Sequence, residues 1–292
     1  MNSVNQQKIK IGILGAADAV LERATLWQEA SLGAITIFSL TEIEGWKINQ
    51  DYFVMDNLEA LLVHVDAIDL LKLPADEVFV IFEKTVKAHK HIFFENPFVL
   101  SLEQLKYCTV LAKESNIICQ PGLYLRFQED ILEQGQNAFR FLDSGISIEK
   151  SRDIKYDDWL ALVNNHVDLL SSLAHSPIKK IDSFALNLNY KMNTLLNFRI
   201  LFDNGAVGVC TINTQALVEE QVSLLFNERE QKLIVWTKNS DLSYTFFDKN
   251  CIINAMEHFI YAIRHQIAPK VTIFEVLNNS ELTNGIINQI AF

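Results

Sequence analysis

The sequence predicts an α/β protein in two parts: an N-terminal Rossmann-type, doubly wound parallel sheet, then an α+β domain with an open, mainly antiparallel sheet. Three observations predict it. Short apolar runs alternate with amphipathic helical patterns as far as residue 122. Strand-like runs then succeed one another across short turns, and two helical patterns close the chain. At 292 residues and 49% hydrophobic, the chain is long enough for two full cores and too apolar to be disordered throughout.

The elements follow in order. Residues 8–14 (KIKIGIL) read as a buried strand, and a turn at Gly15–Asp18 leads into a helix over 19–30. Strands over 34–40, 67–71, 91–95 and 117–120 alternate with helices over 57–63, 75–88 and 101–115; Ser101 opens the last of these with Gln104 at the capping-box position. Continuous apolar runs such as AIDLL suit strands covered on both faces. After Gly122, strands are expected over 181–190, 195–202, 206–215, 221–226, 232–237 and 242–247, with Asp203-Asn204-Gly205 as a hairpin turn. Helices are expected over 252–266 and 273–289. The boundary therefore falls near residue 122, giving domains 1–122 and 123–292, with the closing helices in the second domain or folded back on the first. There are no repeats and no low-complexity segment.

Charge excludes some functions. Against 25 Lys and Arg stand 36 Asp and Glu, a formal net charge of −11, so a basic face for nucleic acid or an anionic membrane is not expected. No stretch approaches the roughly 20 apolar residues of a membrane span. The apolar run 11–14 is too short for a signal-peptide core. Cys108, Cys119, Cys210 and Cys251 form no CxxC pair, which argues for buried reduced thiols rather than a disulfide framework or a metal site. A soluble, cytoplasmic protein is the expectation.

Val65-Asp66-Ala67-Ile68, Pro74, Val86 through Pro97 (VKAHKHIFFENP) and Leu125-Arg126-Phe127 resemble the glucose–fructose oxidoreductase/inositol dehydrogenase (Gfo/Idh/MocA) family. The resemblance continues through Phe202-Asp203-Asn204-Gly205-Ala206 and the Phe259, Ile263 and Pro269 stretch, and covers most of the chain; the region between Arg126 and His166 is short for the family. It implies NAD or NADP in the first domain and hydride transfer to or from a hydroxyl of a sugar or cyclitol. It also implies a homodimer or higher homo-oligomer formed through the C-terminal sheet.

Carried over position by position, the resemblance places the cofactor against Gly15, Ala16, Ala17, Asp18, Ser39, Leu73, Pro74, Glu95 and Pro97. Several of these depart from the pattern. Of GxGxxG only Gly15 remains, with Ala17 and Val20 at the other two positions. Asp18 stands where a helix begins, a place whose amides and dipole favour an anion; it reads first as the N-cap, with its carboxylate competing with pyrophosphate for those amides. Ser39 replaces the acid that binds ribose hydroxyls, so NADP is not disfavoured.

The catalytic positions depart further. The family's Glu-Lys-Pro is Glu95-Asn96-Pro97, and Asn96 can orient a hydroxyl but cannot carry a proton. Asn165 falls at the family's catalytic histidine, His166 lies one residue on, about 100° around a helix, and the preceding acid falls near Leu162. Tyr124, on an expected strand, is a candidate cleft residue. Asp157-Asp158-Trp159 reads as solvated cap residues or as a polyol or metal contact, and the 19 phenylalanines as core. Two functions remain open: an NAD(P)-dependent oxidoreductase, or a non-catalytic descendant serving as a ligand-binding or assembly module.

Overall fold

The computed structural model describes residues 8–31, 35–40, 52–71, 73–128, 140–149, 154–186, 195–217, 220–226, 231–237 and 247–290. The chain divides into two units. The first comprises Met1–Gly122 and Ile252–Leu277, the second Leu123–Cys251 and Asn278–Phe292.

In the first unit, apolar runs covered on both faces become central strands. β1 (Ile9–Leu14), β2 (Ile35–Ser39), β3 (Tyr52–Val54), β4 (Ala67–Leu70), β5 (His91–Phe94) and β6 (Cys119–Pro121) form one sheet in the order β3-β2-β1-β4-β5-β6. Every pairing in it is parallel. The order reverses at β1 and β4, the switch point at which such sheets open a crevice beyond their carboxyl ends. The crossovers are helical: α1 (Ala17–Ser31), α2 (Leu58–His64), α3 (Ala75–Lys87) and α4 (Leu102–Glu114). Local chemistry sets their starts. Asn57 caps α2 by accepting from Ala60 N at 2.9 Å, and Ser101 and Gln104 form the expected capping box on α4. The edge strand β3, only three residues long, was too short to be read from its pattern.

The core of this unit is aromatic. Trp27 of α1 meets Phe93 of β5 edge-on at 5.4 Å, and Phe259 packs on both rings. Phe259 belongs to a helix far along the chain, α6 (Lys249–His265), most of which lies in the first unit. Within the same core Arg23 forms a salt bridge with Asp69, and Trp27 Nε1 donates to the same carboxylate at 2.6 Å.

The second unit holds β7 (Phe141–Glu149), α5 (Tyr156–Ala174), β8 (Ile178–Leu186), β9 (Leu195–Phe202), β10 (Val207–Ala216), β11 (Glu220–Phe226) and β12 (Gln231–Thr237). It also holds the later turns of α7 (Ile273–Ile290). Its sheet runs β12-β11-β7-β10-β9-β8. Most pairs are antiparallel, but β7 and β10 run parallel, so the sheet is mixed. β7 has no counterpart among the expected strands; α5, β8 and β9 together form the long connection a parallel pair requires. In β9, Leu196, Phe198, Ile200 and Phe202 are buried while the intervening residues are half-buried or exposed, the alternation of a sheet with one covered face. The β9–β10 turn is where Asp203-Asn204-Gly205 was expected, with Gly205 at φ +82° supplying the left-handed step. Of the expected strand over 242–247, all but Phe247 lies outside the described residues, as do residues 187–190 of another. Phe247 packs on Tyr124 at 5.3 Å.

Candidate cofactor site and buried polar groups

The turn from β1 into α1 is drawn tight against β4. Leu71 N donates to Leu14 O at 2.9 Å, and a Cβ on Gly15 would stand 2.8 Å from the Cβ of Leu71. Only glycine fits there. Beyond it Ala16, Ala17 and Asp18 are exposed, while Val20, at the third glycine position, is fully buried under the helix. The helix is capped by Ala16, whose carbonyl accepts from Val20 N; Asp18 is therefore not the cap but a first-turn residue, its carboxylate accepting from Ala19 N at 2.9 Å. The side chains between Gly15 and Asp18 are the methyl groups of Ala16 and Ala17, small enough for a pyrophosphate to approach the backbone there. Asp18 opposes it in charge, occupying a first-turn amide with an anion of its own.

At the end of β2, Ser39 departs from the expected ribose contact. It is fully buried, its carbonyl accepts from Met55 N at 2.8 Å, and its hydroxyl hydrogen-bonds the Tyr52 phenol. Burial raises the Tyr52 pKa, with the Ser39 bond partly offsetting it. The strand-end hydroxyl is committed to the sheet edge. Farther along the crevice Leu73 is half-buried and Pro74 exposed at the start of α3.

The Glu95-Asn96-Pro97 segment keeps its frame. Glu95 N donates to Leu70 O at 3.0 Å, which holds it beside the end of β4. Pro97 is buried and opens a 3₁₀ turn over Pro97–Val99, and the Asn96 side chain caps that turn, accepting from Phe98 N at 3.3 Å. Asn96 is 8% exposed. Its amide is thus partly spent on local structure, a role a lysine could not fill.

In the second unit, α5 carries Asn164, Asn165, His166 and Asp168, all buried. His166 is fully buried, with Nδ1 2.8 Å from Ser144 Oγ on β7, and desolvation pushes its pKa down to about 4. It faces its own sheet as a neutral imidazole. Asn165 donates to Ala161 O at 2.9 Å, one turn back along the helix. Tyr124 lies not on a strand but in a 3₁₀ turn, Tyr124–Phe127, and its 1% exposure makes it a packing residue. Asp157 and Asp158 sit in the first turn of α5, where their charge suits the helix dipole; among the described residues no acid, histidine and cysteine cluster suits a metal.

Two polar clusters escaped the sequence reading. Arg126 grips Asp168 with two nitrogens, at 2.5 and 2.6 Å, and Asn279 donates to the same carboxylate at 2.7 Å. Asn164 accepts from Thr283 at 2.9 Å. The second cluster is Arg23, Asp69 and Trp27. Its signal was present in the sequence: an acid inside the apolar run AIDLL demands a partner once the strand is buried.

No family model matches the chain, and no curated protein matches it. Among solved structures, UDP-N-acetylglucosamine 3-dehydrogenase GnnA from Acidithiobacillus ferrooxidans superposes with a TM-score of 0.80, at 14% identity, covering 97% of this chain and 98% of that one. The chain has the Gfo/Idh/MocA fold. Scyllo-inositol dehydrogenase from Lactobacillus casei, with bound NAD(H) and scyllo-inositol, gives 0.76 at 14% identity over 97% of each chain. Dehydrogenase MviM from Clostridium difficile gives 0.77 at 15% identity over 97% and 99%. The Gfo/Idh/MocA resemblance read from scattered motifs is thus matched in fold over nearly the whole chain. No helix among the described residues is long and apolar enough to cross a membrane.

Proposed function

We propose that the protein is a divergent oxidoreductase of the Gfo/Idh/MocA type. Its first unit binds NAD or NADP at the β1–α1 turn, and its ancestral reaction is hydride transfer to or from a hydroxyl of a sugar or cyclitol. The observation that carries this reading is the six-stranded parallel sheet whose switch point presents Gly15 at the start of α1. The bound nicotinamide would supply or accept the hydride. Gly15, Ala16 and Ala17 would bracket the pyrophosphate, Leu73 and Pro74 would border the crevice, and Asn96 would orient a hydroxyl without moving its proton. β2 ends in the buried Ser39 rather than in an acid that would repel a 2′-phosphate, so both cofactors remain open. The protein is proposed to act in the cytoplasm, without nucleic acid or membrane, as a homodimer or higher homo-oligomer through the exposed face of the second sheet.

A second reading is favoured by two specific placements. Asn96 caps a turn and His166 is a buried neutral imidazole, so neither residue moves a proton at neutral pH. On that reading the protein keeps the cofactor crevice as a ligand-binding or assembly module. Titration with NADH and NADPH, followed by nicotinamide fluorescence, tests the shared part. Binding followed by polyol- or UDP-sugar-dependent turnover supports the oxidoreductase; binding without turnover supports the module. No binding at millimolar nucleotide overturns both.

A further inference from the structure

The first unit carries a second concave site on the opposite side of its sheet. A cavity of about 820 Å³ lies at the amino-terminal ends of β5 and β6, whereas Gly15 and Glu95 follow the carboxyl ends of β1 and β5. Its walls are the last turn of α4, the entry to β6, the end of α6 and the start of α7. Two helices end there by one device. Asn116 after α4 and Gln266 after α6 adopt left-handed backbone at φ 53° and 51°. Ile117 N and Ile267 N then reach back to Ala112 O and Ala262 O at 3.4 and 3.2 Å. This closure satisfies carbonyls at both helix ends, which reduces the attraction those ends would otherwise offer a cation. It also leaves Ile117 and Ile267 in the cavity wall, with Ile267 47% exposed and Phe274 57% exposed beside it.

The one full charge lining the cavity is that of Lys113. Acids outnumber bases 36 to 25 in the chain, yet no Asp or Glu lines the cavity, whereas Lys113 and His91 do. Among the described residues Lys113 has no ion-pair partner. His91 Nδ1 accepts from Ile118 N at 3.0 Å, which fixes the tautomer and leaves Nε2–H as a donor. We propose that this cavity binds a small aliphatic monocarboxylate, its chain against Ile263, Ile267 and Phe274 and its carboxylate on Lys113 and His91 Nε2–H. The site is separate from the cofactor crevice and does not depend on the function proposed above.

Calorimetric titration of the full chain with octanoate, octanol and octylamine tests it. Octanoate should bind, and more tightly than either of the others. Lys113→Glu and Ile267→Asp, both at exposed positions, should each weaken octanoate about tenfold or more while leaving the melting temperature and NADH titration unchanged. Absence of binding at millimolar octanoate overturns the proposal, as does equal binding of octylamine or octanol. So does octanoate binding that neither substitution alters.

Discussion

Arg23 and Asp69 meet inside the first unit with Nε 2.7 Å from Oδ2 and neither side chain exposed at all. The pair joins α1 to β4, the two elements that flank the candidate cofactor turn, and the guanidinium also lies 5.1 Å from the centre of the Phe93 ring. A buried ion pair is costly to break from one side, because the remaining charge keeps its desolvation penalty. Asp69→Ala should therefore destabilise the protein by about 3–5 kcal/mol in urea unfolding, whereas the double change Arg23→Met with Asp69→Leu should recover most of that loss.

His166 gives the fold a pH dependence of known sign. Its folded pKa of about 4 lies below the ordinary value of 6.5, so the unfolded chain binds the proton more readily. The neutral imidazole's contribution is complete above pH 6.5 and is lost as pH falls toward 4, by up to roughly 3 kcal/mol. Unfolding free energies measured from pH 7 down to pH 4 should show this slope, and His166→Gln should flatten it.

At the β1–α1 turn, Gly15→Ala would press a methyl group against Leu71 and should cost about 1–3 kcal/mol. Adding Leu71→Gly removes the Cβ, Cγ and Cδ1 that the new methyl group meets, so the two changes should couple by more than about 0.5 kcal/mol in a double-mutant cycle followed by thermal melting.

Asp18→Asn removes an anion from the first turn of α1. A bound pyrophosphate would gain about 0.3–1 kcal/mol, so NADH and NADPH should bind several-fold more tightly in fluorescence titrations.

Asn96→Lys exchanges a turn cap for a proton carrier. The cap to Phe98 N should be lost at a cost of about 1 kcal/mol. If the chain transfers hydride, the rate with its polyol or sugar should rise by about 10²–10⁴, measured as nucleotide oxidation or reduction.

The first sheet was legible because every strand between β1 and β6, apart from the three-residue β3, announces itself as an apolar run followed by a helical pattern. The second sheet was less so. β7 contains Asp143, Ser144, Gly145 and Ser147, a composition that hides a strand whose inward positions alternate with polar ones. The spacing of the site motifs was readable, but the commitments of their side chains were not. Nothing near Ser39 in sequence reveals that Tyr52 takes its hydroxyl, and nothing near His166 points to Ser144, twenty-two residues away. Such partners are set by strand register and helix rotation, which single-residue patterns do not encode.

The first unit is completed by residues 252–277, with Phe259 closing over Trp27 and Phe93 and Gln120 donating to Ala255 O at 2.6 Å. A ribosome emits Trp27 and Phe93 long before their lid. The nascent amino-terminal half must therefore travel with an open aromatic wound until translation is nearly finished, and cutting the gene at codon 122 should yield a sticky fragment rather than a free-standing module.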